Sequence, residues 1–135
     1  MGTEVSYGYT RTLPGVGYDE AITRVTEALK KEGFGVLTTI DVKETLKQKL
    51  GVEFQRYVIL GACNPQLAHR ALSIEPGVGL LLPCNVVVSE SPQGAVVQMV
   101  KPEAMLGVVQ RKEIAPIAAE ADARLRRAMD QLGTR

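Results

Sequence analysis

"RYVILGACNPQLAHRALSIEPGVGLLLPCNVVVSESPQGAVVQMV", residues 56–100, decides the fold. The run RYVILGAC is apolar without alternation, which reads as a strand buried on both faces. Asn64 has the side chain of a helix N-cap and Pro65 the fixed φ of a first helical residue, predicting a helix over 65–75. EPGVG ends that helix, and LLLPCNVVVSE reads as the next strand. Within it, Pro83 and Asn85 are interruptions of the kind found at an edge or bulge. SPQG makes a turn short enough for AVVQMV to pair back as a hairpin, so these last two strands are antiparallel.

Working outward, residues 4–11 alternate loosely, with Val5, Tyr7 and Tyr9 on one side of a half-buried strand. From Tyr18 the apolar residues Ala21, Ile22, Val25, Ala28 and Leu29 recur at helical spacing, and Gly33 stands where a helix-ending glycine is expected. FGVLTTI is a β-branched strand. Asp41 and Glu44 have the spacing of a capping box, which opens a short helix over 42–50 that ends at Gly51. Pro102 opens another through Val109. A long helix over 113–132 carries the stripe Ile114, Ile117, Ala118, Ala121, Leu125, Ala128, Met129 and Leu132. Residues 1–135 therefore read as a single two-layer α+β domain, a mostly antiparallel sheet covered by helices with a long helix at the C-terminus.

Composition narrows the function. Sixteen Lys and Arg against fifteen Asp and Glu leave a net charge of +1, far from the basic footprint of a nucleic-acid binder. With four Tyr, two Phe and no Trp there are few platforms for stacking bases. No apolar run is long enough to span a bilayer, and the N-terminal segment has no basic region followed by an apolar core. Gly2 and Ser6 match a myristoylation pattern, but the match is short and common. Two cysteines without an export signal indicate a reducing cytoplasm.

Candidate chemistry gathers at Cys63, Asn64, His69, Cys84 and Asn85, which include the only two cysteines and the only histidine. Cys63 precedes a helix N-terminus, where free amides and the helix dipole lower a thiol pKa. His69 lies one turn into that helix, on the border of a face made by Leu67, Ala68, Ala71 and Leu72. Two sulfurs and an imidazole suit zinc, and three ligands, Cys63, His69 and Cys84, would leave an open position. The spacing C-x5-H-x14-C nevertheless matches no standard zinc module, and the plainer reading makes both cysteines small buried residues at strand ends. Three functions stay open: a small-molecule or metal-ion binding module, a thiol enzyme or redox protein using Cys63 with His69, and a structural or interaction domain. Arg124, Arg126 and Arg127 read as a solvated basic face rather than an anion site.

EGFGVLTTIDVKETLKQK, ILGACNPQLAHRALSIEPGVGLLLPCNVVV and KPEAMLG together resemble the domain of unknown function 302 family over nearly the whole chain. The resemblance implies an α+β fold similar to the TATA-binding-protein class, with a long helix across an antiparallel sheet, and a homodimer. It carries no DNA binding and no catalytic residues, because likeness of fold does not transfer a site.

Overall fold

Alternation and helical periodicity sort the chain into two layers in the computed structural model, which describes residues 4–133. Gly2 of the myristoylation pattern lies outside the described residues. The strands are β1 (Gly8–Pro14), β2 (Gly35–Asp41), β3 (Tyr57–Cys63), β4 (Cys84–Ser89) and β5 (Gly94–Val100). The helices are α1 (Tyr18–Lys31), α2 (Val42–Leu50), α3 (Pro65–Ile74), α4 (Pro102–Leu106) and α5 (Ala115–Leu132). One antiparallel sheet forms in the order β1-β5-β4-β3-β2. Strands β2 to β5 follow one another across it, with helices inserted in the connections. β1, although first in the chain, is the far edge beyond β5.

The register places one row of side chains under the helices. Tyr9, Met99, Val86 and Leu60 lie across four strands, and Arg11, Val97, Val88 and Val58 lie beside them. Over this face α1 lays Ala21, Val25, Ala28 and Leu29, and α5 lays Ile117, Ala118, Ala121, Leu125, Ala128 and Met129. The alanines let the two helices approach each other and the sheet closely, while Leu29 and Leu125, both fully buried, fill the space between. Each such leucine withdrawn from water contributes about 1.5–3 kcal/mol.

Several expectations need correction. RYVILGAC is buried on one face only: Val58, Leu60 and Ala62 are inward, while Tyr57 and Ile59 remain half-exposed. In LLLPCNVVVSE, Leu80 and Leu81 belong to a 3-10 segment, Pro76–Leu81, with Leu80 almost fully exposed. Pro83 precedes β4 rather than interrupting it, so a residue without an N–H stays out of the ladder. β4 is consequently the middle strand of the sheet, not an edge. The first strand likewise begins at Gly8, later than the alternation suggested.

The edge strand β1 is tied to α5 by one polar contact. The Tyr9 hydroxyl lies 2.8 Å from both carboxylate oxygens of Asp122, a buried acid on the sheet-facing side of α5. No helix among the described residues is long and apolar enough to cross a membrane.

Burial, with the hydrogen bond to Asp122 and that carboxylate's charge, pushes the Tyr9 phenol up from 10.0 to about 12. A neutral form favoured in the folded state adds stability that is intact below pH 10 and disappears as pH rises to about 12. Tyr9→Phe should cost about 1–3 kcal/mol at neutral pH by stranding the Asp122 carboxylate. Urea unfolding of both proteins should show this difference constant below pH 10 and shrinking above it.

Candidate functional site

Asn64 sits where three elements meet. Its side-chain oxygen accepts the Leu67 N–H at 3.1 Å, capping α3 as the sequence predicts, and its amide donates to the Glu32 carbonyl at 3.4 Å. The end of α1 is thereby fastened to the start of α3. Gly33 makes this approach feasible: its φ is +84°, and a Cβ there would stand 2.8 Å from the Asn64 amide nitrogen. A similar closeness marks Gly61, where a Cβ would run into Thr38 and stand 2.9 Å from Pro83 Cγ. The residues between and around the two cysteines are thus fitted to one another at backbone level.

Cys84 is paired with Ala62 across the β3–β4 ladder and faces the helices; Cys63, one step further along β3, leans by alternation to the opposite side. Atoms of both border one apolar void of about 30 Å³ beside Phe34, Leu67, Leu106 and Ile117. That is room for about one water and too little for a metabolite. Burial pushes the Cys63 thiol up, and pushes Cys84 up to about 11, with the nearby Cys63 charge adding to the effect. The thiolate expected at Cys63 is therefore disfavoured: loss of water outweighs the helix terminus, whose Leu67 amide already belongs to Asn64.

His69 is exposed on α3 and does not border the void. Zinc fails the fit on the same geometry. Sulfur and imidazole are suitable donors, but no group of three His, Cys, Asp or Glu side chains among the described residues is placed to hold a metal ion. The set Cys63, His69 and Cys84 is not assembled, because α3 carries its histidine outward. Asn85 is exposed on the opposite face of the sheet from Cys84, where it borders a groove with Tyr7, Tyr57, Val87 and Gln98.

The basic run on α5 also divides. The Arg124 guanidinium donates to the Glu32 carbonyl at 3.2 Å, and Arg127 pairs with the Glu32 carboxylate at 3.0 Å, so both clasp the end of α1. Arg126 turns the other way and lies 5.9 Å from the centroid of the Tyr9 ring. Sequence reasoning took all three as solvated. Only the packing of α5 separates them, because Glu32 and Tyr9 are remote in the chain, while Arg124 and Arg126 also keep local i,i+4 partners in Glu120 and Asp122.

Two measurements test this account. Asn64→Ala should lower unfolding free energy by about 1–2 kcal/mol. Asn64→Asp, which keeps the cap acceptor but loses the donor to Glu32, should fall between the two in urea titrations. In native protein, iodoacetamide labelling followed by mass spectrometry should be slow at pH 7, with Cys84 reaching half its maximal rate near pH 11.

The comparisons with known proteins agree with this architecture. No curated protein matches the chain. The crystal structure of an uncharacterized conserved protein DUF302 from Bacillus stearothermophilus is similar at 37% sequence identity and a TM-score of 0.86. The match covers 95% of this chain and 99% of that one. The family described as Domain of unknown function DUF302 matches residues 9–132. The chain belongs to the DUF302 family.

Proposed function

We propose that the protein is an interaction module that works as a homodimer, two copies meeting through the face of the sheet that its own helices leave open. The observation that carries this reading is the composition of that face. Its strand positions are Thr10, Thr12, Val96, Gln98, Val100, Asn85, Val87, Ser89, Tyr57, Ile59, Thr38 and Ile40, with Gly and Pro between them and Cys63 at one end; of these only Val96 and Ser89 are already buried in the single chain. None is charged, in a chain whose residues are 23% charged. Water-facing strand positions usually carry charges, which keep sheets from sticking to one another.

A second copy is the occupant that suits such a surface. A two-fold dimer brings a patch against itself, which a charged patch resists and a neutral one does not. Five strands about 4.8 Å apart and about 20 Å long span roughly 500 Å² before side-chain relief is counted. Tyr7, 63% exposed, and Phe54, edge-on to Tyr57 with centroids 6.0 Å apart, extend the patch. The total approaches the ~800 Å² per partner of a standard interface. Face-to-face sheet packing would interlock Ile59 and Val87 as in a β-sandwich.

On this reading the CNP and PCN motifs are scaffold, holding the strand–helix junction that sets the sheet's shape. The thiol-enzyme alternative loses its support with a raised Cys63 pKa and an outward His69. Two free thiols suit a reducing compartment, and we assign the protein to the cytoplasm on that ground.

Light scattering coupled to size exclusion should give twice the mass of the 14.6 kDa chain. The double variant Ile59→Lys/Val87→Lys should give the monomer mass with an unchanged far-ultraviolet circular dichroism spectrum. A monomeric wild-type protein at tens of micromolar, or a dimer that survives both lysines, would overturn the reading.

A further inference from the structure

A cleft of about 400 Å³ opens between β1 and the C-terminal half of α5, on the far side of the molecule's edge from the cysteine motif. Tyr9 forms its floor, with Arg11, Lys101 and Arg126 around it, and Glu4 and Asp130 at its border. The Lys101 ammonium lies 5.1 Å from the Tyr9 ring centroid, and the Arg126 guanidinium 5.9 Å from the same centroid.

Four carboxylates, Glu4, Asp122, Asp130 and Glu103, surround these cations, but among the described residues none approaches any of them closer than 3.8 Å. Asp122, the acid nearest the ring, is engaged by the Tyr9 hydroxyl at 2.8 Å and is 4.0 Å from Arg126. Arg11 meets only Asp130, at 3.8 Å, and that carboxylate is 78% exposed. Lys101 has no carboxylate within ion-pair distance among the described residues. Lys101 and Arg126 thus lie 5.1 and 5.9 Å from one ring centroid with Arg11 in the same cleft, and the nearest carboxylate, Asp122, is already committed to the Tyr9 hydroxyl. Five other arginines, Arg24, Arg56, Arg111, Arg124 and Arg127, reach carboxylates at 2.9–3.0 Å, closer than either contact in the cleft.

From this arrangement we infer that the β1–α5 cleft binds the phosphoryl group of a small phosphorylated molecule, with Lys101 and Arg126 as its principal ligands. A guanidinium offers parallel N–H donors to two phosphate oxygens, and an ammonium adds a point charge to a third. The hydrogen bond to Asp122 holds the ring in place and commits the phenol proton, leaving an oxygen that presents no further donor. The volume exceeds that of one phosphate, leaving room for the body of a metabolite along β1. The site is independent of the sheet face proposed for dimerisation, since Arg11 and Tyr9 stand on the helix-covered side of β1.

The test is a titration of the full chain with inorganic phosphate at constant ionic strength, followed in 1H–15N spectra. Glycerol 3-phosphate and sulfate are run in parallel. Saturating shifts confined to amides of residues 8–11, 101 and 126–130 support the site. Lys101→Met should weaken phosphate by about tenfold, the worth of one charge-assisted contact. Arg127→Gln, on the same helix but paired with Glu32, should leave affinity unchanged. Tighter binding of glycerol 3-phosphate than of phosphate identifies a phosphorylated metabolite, whereas equal or weaker binding restricts the site to the free ion and overturns the metabolite assignment. Shifts that do not saturate, that spread over the surface, or that persist in a folded Lys101→Met/Arg126→Met double variant would overturn the site itself.

Discussion

Burial of one face of the sheet beneath α1 and α5 is the constraint to which the other features answer. Val58, Leu60, Ala62, Cys84, Val86, Val88, Ala95, Val97 and Met99 form a continuous apolar floor. Two helices that cross it side by side need small residues where they touch, which accounts for Ala21, Ala28, Ala118, Ala121 and Ala128. The same constraint sends β1 to the far edge. Because α1 must span the sheet from one side to the other, the strands before and after it end at opposite edges.

Polar contacts then lock the layers at two ends. At one, the Glu32 carbonyl receives Asn64 from α3 and Arg124 from α5, so the last turn of α1 is joined to two other helices. At the other, Tyr9 joins the edge strand to Asp122. Both contacts satisfy a polar group of one element with a group of another, and hydrogen bonds of this kind are costly to break once water has been excluded. Their positions explain why the cysteine motif is so tightly fitted. It lies at the junction rather than in an opening.

The molecule's two faces consequently differ in kind. Helices cover one, and the binding cleft opens at that layer's margin, where β1 projects past α5 and the charged side chains of both face water. The other face has neither helices nor charges. A surface of that type persists when something covers it, and packing against a second copy satisfies both the shape and the absence of charge. An interaction role and a small-anion site can thus coexist on one small domain: they share Thr10 at the β1 edge, but Lys101 and Arg126 are not among the positions of the open sheet face.

Local rules read from the sequence determined most element types, the capping of α2 by Asp41 and of α3 by Asn64, and the apolar buried positions of α5, though not its buried Asp122. Each of these depends on neighbours within about one turn of helix or a short hairpin. The family resemblance was legible from CNP, AHRAL and LLPCN, which lie at or beside the junctions of α3 with β3 and β4. What only the tertiary structure decided involves partners far apart in the chain. Pro83 and its preceding leucines fall outside β4 because the ladder with β3 begins at Cys84. Cys63 and His69 part company because the sheet and α3 turn them in different directions. Tyr9, Lys101 and Arg126 converge because β1, the end of β5 and α5 meet at one edge. No local periodicity encodes that meeting; it follows from burying a single apolar floor with two helices.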